Sequence, residues 1–190
     1  MATAAAVQEP QRYRFAVWDY ERMGTFGILG EDDRVELIDG EIIQRSPIGV
    51  KHARCINRLT RRLVRALGEQ AIVSIQNPIV LSDHDEPQPD VAVLRPSAEE
   101  HMSNPRPSDV FLVIEVSDST LAYDRGVKLP LYARAGILEA WIADVDHDII
   151  SQYSIPSNGE YQVVATYQRG DAISSHVLPE LSLQVNDILP

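Results

Sequence analysis

The sequence predicts an α/β (α+β) fold: a mixed β-sheet flanked by helices, with an N-terminal hairpin and a C-terminal β-meander. Three observations predict it. "DVFLVIEVS" (109–117) and "EAWIADVD" (139–146) are buried-strand runs with a helix-length segment between them, which suggests a crossover unit. "DDRVELIDGEIIQRSPIG" (32–49) sets Asp39-Gly40 between two β-prone runs, a strong hairpin turn signal. Residues 148–190 alternate or run β-branched through "DIISQYSI", "EYQVVATY" and "LSLQVNDIL", with "PSNG" and "RGD" between them.

The remaining elements follow in order. Residues 1–11 read as a disordered tail and 12–190 as a single domain, long enough to bury a proper core. A short helix is expected around 16–23. Residues 50–68 read as a helix stopped by Gly68. At a helical 100° per residue, Lys51, Arg54, Arg58, Arg61, Arg62 and Arg65 share an arc of about 100°. Ile56, Leu59, Leu63 and Leu67 lie opposite, and His52 falls with that apolar set. "AIVSIQNPIVL" (71–81) is a strand pair or one bent strand, 82–89 a loop, and "DVAVL" (90–94) a short strand. "LAYDRGVKLPLYARAGI" (121–137) is a helix interrupted by Pro130, which cannot donate a backbone hydrogen bond and crowds the preceding turn. The helix therefore starts near Leu129 or kinks there.

Composition narrows the function classes. Hydrophobic content is 44% and charged content 24%, ordinary for a globular chain. No apolar stretch is long enough to span a bilayer, and "MATAAAVQEPQRYRF" lacks the basic-then-apolar pattern of a signal peptide. The lone cysteine, Cys55, excludes an internal disulfide and a cysteine-based zinc cluster, and fits a cytoplasmic setting with no disulfide-linked partner. The net charge of −11 argues against a protein that merely coats nucleic acid. The basic face of residues 50–68 has two readings: a contact for a DNA backbone, or a solvated face offsetting nearby acids.

Several acids stand where burial is expected. Glu115 ends an unbroken apolar strand, and an ionised carboxylate there is costly unless a cation or several donors meet it. Asp90 opens the strand after Pro89, and the two can lie on neighbouring strands. Two converging carboxylates repel unless they share a proton or a metal bridges them, and oxygen ligands suit Mg²⁺ or Mn²⁺. Glu36 sits within the hairpin strand, facing away from Val35 and Leu37. Asp39 belongs to the turn and Glu41 to solvent. Lys128 follows on the next helix, where Asp124, Lys128 and Tyr132 are four apart and share a face. Taken singly, each acid also fits a cap, a turn or half of an ion pair.

These stretches carry a resemblance. "RVELIDGEII", "SPIG" with His52 soon after, "PQPDVAVL", "FLVIEVSDST" and "DRGVKLPLYARAGILEAWIADVD" are similar to the Uma-type restriction-endonuclease family, within the PD-(D/E)xK nuclease superfamily. The likeness covers roughly residues 15–190, and the run from 111 to 146 is its most specific part. It implies a restriction-endonuclease-like core and Mg²⁺-dependent (or Mn²⁺-dependent) hydrolysis of DNA phosphodiester bonds by a homodimer. Carried over by position, Asp90 is the aspartate of "PD" and Glu115 the acid of (D/E)xK. Glu36 is the acid of the first hairpin and joins them as a metal ligand, and His52 is the histidine of the first core helix. The lysine expected at 117 is replaced by Ser117, and the resemblance moves its role to Lys128. Two other readings share this scaffold: an inactive module binding DNA or protein, and a metal-dependent hydrolase of RNA or nucleotides.

Overall fold

A computed structural model describes residues 12–30 and 32–190, so the expected tail over 1–11 lies outside the described residues. The first helix, α1 (Val17–Thr25), precedes the hairpin of β1 (Val35–Ile38) and β2 (Glu41–Gln44). Asp39 and Gly40 turn the chain with φ of 51° and 73°. Two positive φ values in a two-residue loop match the right-handed twist of the paired strands, which is why Asp-Gly stands there. β1 pairs antiparallel with β2 from Val35↔Gln44 to Ile38↔Glu41.

The six-stranded sheet has the order β3-β4-β5-β6-β7-β8. Its strands are β3 (Ile72–Ile75), β4 (Val91–Leu94), β5 (Val110–Ser117), β6 (Glu139–Asp144), β7 (Ile149–Ser157) and β8 (Glu160–Gln168). Only β5 and β6 pair in parallel; every other neighbour is antiparallel. The parallel pair requires a crossover, and residues 118–138 supply it as a helical segment.

Alternation along β5 sends its side chains to two cores. Leu112, Ile114 and Val116 pack with Cys55, Leu59 and Leu63 of α2 (Val50–Leu67) on one face. Val113 packs on the other face with Leu129 and Tyr132 of the crossover. Glu115 shares that second face by the same period of two. Gly68 ends α2 at φ 51°, as its position after the last apolar residue predicts.

Three elements differ from expectation. Residues 76–81 form no second strand after β3. The expected strand in "LSLQVNDIL" is β10 (Ser182–Gln184) followed by one helical turn, α5 (Val185–Ile188). β10 pairs with β9 (Ala172–Ser174) in a separate ribbon, so only β7 and β8 of the meander extend the main sheet. The interrupted helix is continuous but widened: α3 (Leu121–Tyr123), a π turn (Asp124–Lys128) and α4 (Leu129–Arg134). Pro130 has no N–H to offer the Gly126 carbonyl, and the Leu129 N–H instead reaches the Asp124 carbonyl five residues back.

One buried acid gives the fold a pH dependence. Glu86 pairs its backbone with Leu37 beside the hairpin, and its Oε1 accepts from Asn104 at 2.7 Å. Its Oε2 is buried with no partner among the described residues. Burial, helped by Glu21, pushes the carboxyl up to about 7. A folded-state pKa above the unfolded one means this group favours folding fully below about pH 4.3 and loses that contribution as pH rises through 7. Glu86→Gln keeps the Asn104 contact and cannot ionise. Its unfolding free energy relative to wild type should improve by about 2 kcal/mol between pH 5 and pH 8. Urea denaturation at the two pH values checks this; parallel curves for the two proteins would contradict it.

Candidate active site

The acids singled out in the sequence meet at one end of the sheet, between its two helical layers. The strand register puts Val91 opposite Ile114, so Asp90 and Glu115 fall at adjacent positions of neighbouring strands. The Asp90 N–H points at Glu115 Oε2, 3.4 Å away. Glu36 arrives from β1 and Lys128 from the end of the π turn. Lys128 Nζ lies 3.2 Å from Glu36 Oε2 and 3.2 Å from Glu115 Oε1. All four side chains are buried and line one cavity of about 280 Å³.

Asp90 is surrounded by donors. Its Oδ2 accepts from the Val116 N–H at 2.9 Å and meets His52 Nε2 at 3.0 Å. Its Oδ1 accepts from Gln76 at 3.2 Å and lies 3.5 Å from the Arg45 guanidinium. Burial alone would raise this carboxyl. The His52 hydrogen bond and charge, the Val116 N–H and Lys128 outweigh it and hold Asp90 below the usual carboxylate range. Glu115 goes the other way. Burial pushes it up to about 8 against the pull of Lys128, and Asp90 and Asp124 add to the rise. Its Oε1 also accepts from Tyr132 at 2.5 Å. Two neighbouring carboxyls driven apart in pKa mark a site built for unequal roles. Burial pulls Lys128 down, but Glu115, Glu36, Asp124 and Asp90 together raise it.

Ser117, at the position expected to carry a lysine, is fully buried and gives its hydroxyl to Asp124 Oδ2 at 2.6 Å. Thr120 does the same at 2.7 Å. Burial nevertheless leaves the Asp124 carboxyl raised. The helical face of Asp124, Lys128 and Tyr132 was legible in the spacing. Arg45, Gln76 and Gln88 were not: each is an unremarkable polar residue whose role comes from tertiary placement. Arg45 ties Gln88 Oε1 at 2.9 Å, and the Gln88 N–H donates to Glu36 Oε2 at 3.1 Å. Cys55 packs in the apolar core and does not line the cavity, and burial pushes its thiol up to about 12.

The basic face of α2 is divided. Lys51 pairs with Asp146, Arg62 with Asp187, and Arg58 donates to the Leu189 carbonyl. Arg54, Arg61 and Arg65 remain exposed. Arg58 and Arg62 thus anchor the C-terminal segment, and Lys51 the turn between β6 and β7.

The donor set fits a hard divalent cation. Four buried carboxyl groups, Glu36, Asp90, Glu115 and Asp124, gather around one lysine and one arginine, so hard oxygen donors dominate the cavity. Among the described residues no three His, Cys, Asp or Glu side chains form a ready cage. Magnesium is commonly held by one or two carboxylates, with its other positions left to water and substrate phosphate.

A mixed sheet between helical layers, with carboxylates and a lysine gathered at one end, defines a restriction-endonuclease-like α/β domain. The chain belongs to the Uma2 family, described as "Putative restriction endonuclease", whose sequence model matches residues 17–186. No curated protein matches it in sequence. The solved structure of a "putative nuclease belonging to DUF820" from Anabaena variabilis shares its fold. The TM-score is 0.68 at 18% identity, over 86% of this chain and 94% of that one. No helix among the described residues is long and apolar enough to cross a membrane.

Proposed function

We propose that this chain is a Mg²⁺-dependent endonuclease that hydrolyses phosphodiester bonds of DNA. The observation that carries the reading is Lys128, buried between Glu36 and Glu115 at 3.2 Å from each, with Asp90 lining the same cavity. Asp90 and Glu115 would hold the cation, and Glu36, whose Oε2 is taken by Lys128 and Gln88, would offer Oε1 as a further oxygen. When bound, Mg²⁺ or Mn²⁺ supplies Lewis-acid activation of the phosphate and a lowered pKa for water. Lys128 orients the attacking water or neutralises charge growing on the phosphate. Glu36 and Glu115 fix the lysine through its two short contacts. His52 holds Asp90 in place and keeps it ionised. Tyr132 locks the Glu115 rotamer.

A homodimer in a reducing, cytoplasmic setting completes the proposal. β8 is a nine-residue edge strand whose outer side pairs with no strand among the described residues; it exposes Val163 and Val164 and contains no lysine or proline, the devices that keep edges apart. Sedimentation velocity reads the mass.

One experiment separates the readings. Purified protein is incubated with supercoiled plasmid, with RNA and with a nucleotide panel, each with Mg²⁺ or with chelator. Plasmid nicking or linearisation that chelator abolishes supports the proposal. Cleavage of RNA or nucleotides alone moves the chemistry to another substrate. No cleavage of any substrate with Mg²⁺ leaves a binding module, the reading that Ser117 in place of lysine favours.

A further inference from the structure

Four buried side-chain polar atoms have no hydrogen-bond partner among the described residues: His52 Nδ1, Arg62 Nε, Glu86 Oε2 and the Tyr123 hydroxyl. Two of these residues, His52 and Tyr123, line the acidic cavity. Buried polar atoms are nearly always paired, so an orphan lining a cavity is a position where a bound molecule can supply the partner. His52 is already anchored through Nε2 on Asp90. Tyr123 has nothing holding its hydroxyl.

The backbone explains how Tyr123 comes to be there. In an α-helix, residues five apart point about 140° away from each other. Tyr123 and Lys128 are five apart and would diverge. The π turn between them is bonded from residue i to i+5, which brings such positions back into line. Both side chains therefore enter the cavity. π turns of this kind recur at functional sites because they re-aim a side chain without breaking the helix.

The chemistry of the surroundings selects the ligand. Burial, then Glu36, raises the Tyr123 phenol well above its usual value, so the hydroxyl keeps its proton and acts as a donor. None of the nearby carboxylate oxygens bonds the Tyr123 hydroxyl in the structure, and three of them are engaged elsewhere. Glu115 Oε1 serves Tyr132 and Lys128, Glu36 Oε2 serves Lys128 and Gln88, and Asp124 Oδ2 serves Ser117 and Thr120. The Tyr123 hydroxyl thus has a hydrogen bond to give to an acceptor from outside the chain, in the cavity that also holds the Lys128 ammonium.

We infer that the Tyr123 hydroxyl donates a hydrogen bond to a non-bridging oxygen of the phosphodiester, making Tyr123 a substrate-contacting residue of this site. The inference rests on the nuclease reading and specifies how that site holds its substrate. The bond strengthens as negative charge builds on the phosphate oxygens, so its loss falls on turnover more than on binding.

The test is Tyr123→Phe, which removes one oxygen and leaves the ring. Three quantities are read: steady-state cleavage of a short DNA duplex with Mg²⁺, affinity for the same duplex with Ca²⁺, and melting temperature. The expected result is a kcat lower by about 10–100-fold with KM changed less than about threefold. Duplex affinity and melting temperature should stay close to wild type. Wild-type turnover in the variant overturns the role of Tyr123 and leaves the nuclease reading standing. A fall in kcat that comes with a melting temperature lower by more than about 5 °C points to packing and also overturns it. A wild-type protein that neither binds nor cleaves DNA overturns the nuclease reading, and this inference with it.

Discussion

Asp90→Asn should abolish phosphodiester cleavage while leaving the fold in place. The amide is isosteric, and its oxygen can still accept from the Val116 N–H and from His52, the contacts that hold Asp90 at the strand entrance. What disappears is the charge. Asp90 is the carboxyl in the cavity that its neighbours hold below the usual range, so it is the anion most available to a cation across ordinary pH. Removing it should lower turnover at least about 10³-fold, on the order of 4 kcal/mol in the barrier. Unfolding free energy should drop by no more than about 2 kcal/mol, the scale of a charge-assisted hydrogen bond. Plasmid cleavage and urea denaturation on the same preparation measure both. Cleavage within about tenfold of wild type would remove Asp90 from the reaction.

Lys128→Met should cost the most stability of any change at the site. The methionine fills similar space and leaves Glu36 and Glu115 facing each other without their shared cation. Taking one partner out of a buried ion cluster strands uncompensated charge and typically costs about 3–5 kcal/mol. The sign of the pH dependence follows from Glu115. Its carboxyl is already raised to about 8, and without Lys128 it rises further. A carboxyl raised in the folded state favours folding at low pH and loses that contribution as pH climbs through its folded pKa. The destabilisation should therefore be small at pH 5 and near its full size at pH 9. Lys128→Arg should not restore the wild-type state, because a planar guanidinium does not fit a site only 4% exposed and shaped around a point charge. Equal denaturation midpoints for wild type and Lys128→Met at pH 9 would contradict the bridging role.

Much of this site was legible because its chemistry conflicts with local pattern. An acid at the end of "FLVIE" and another opening "DVAVL" cannot be explained by strand propensity, so each demanded a partner. Asp39-Gly40 and Gly68 were legible for a backbone reason, since both stand where φ must be positive. The residues that escaped depend on tertiary placement. Arg45 looks like a polar residue ending a hairpin strand until that hairpin folds over Asp90. Tyr123 lies off the Asp124–Lys128–Tyr132 face in any regular helix, and only the π turn forced by Pro130 brings it in. Glu139 shows the converse. It is as buried as Glu115, yet Trp141, Gln152, Ser175 and the N–H groups of His176 and Val177 all donate to it. A carboxylate with five donors needs no cation and serves to tie the C-terminal ribbon to β6. The sequence around Glu139 and around Glu115 looks alike; the difference lies in which distant donors arrive.

The most direct test is a calorimetric titration of Mg²⁺, and then Mn²⁺, into wild type and Asp90→Asn, with plasmid cleavage assayed on the same samples. The expected result is a saturable site in the wild type that is lost in the variant, and cleavage that appears and disappears with it. A wild-type protein that binds neither ion and cuts nothing would contradict it, leaving the buried carboxylates and Lys128 as the internal bracing of a restriction-endonuclease-like scaffold.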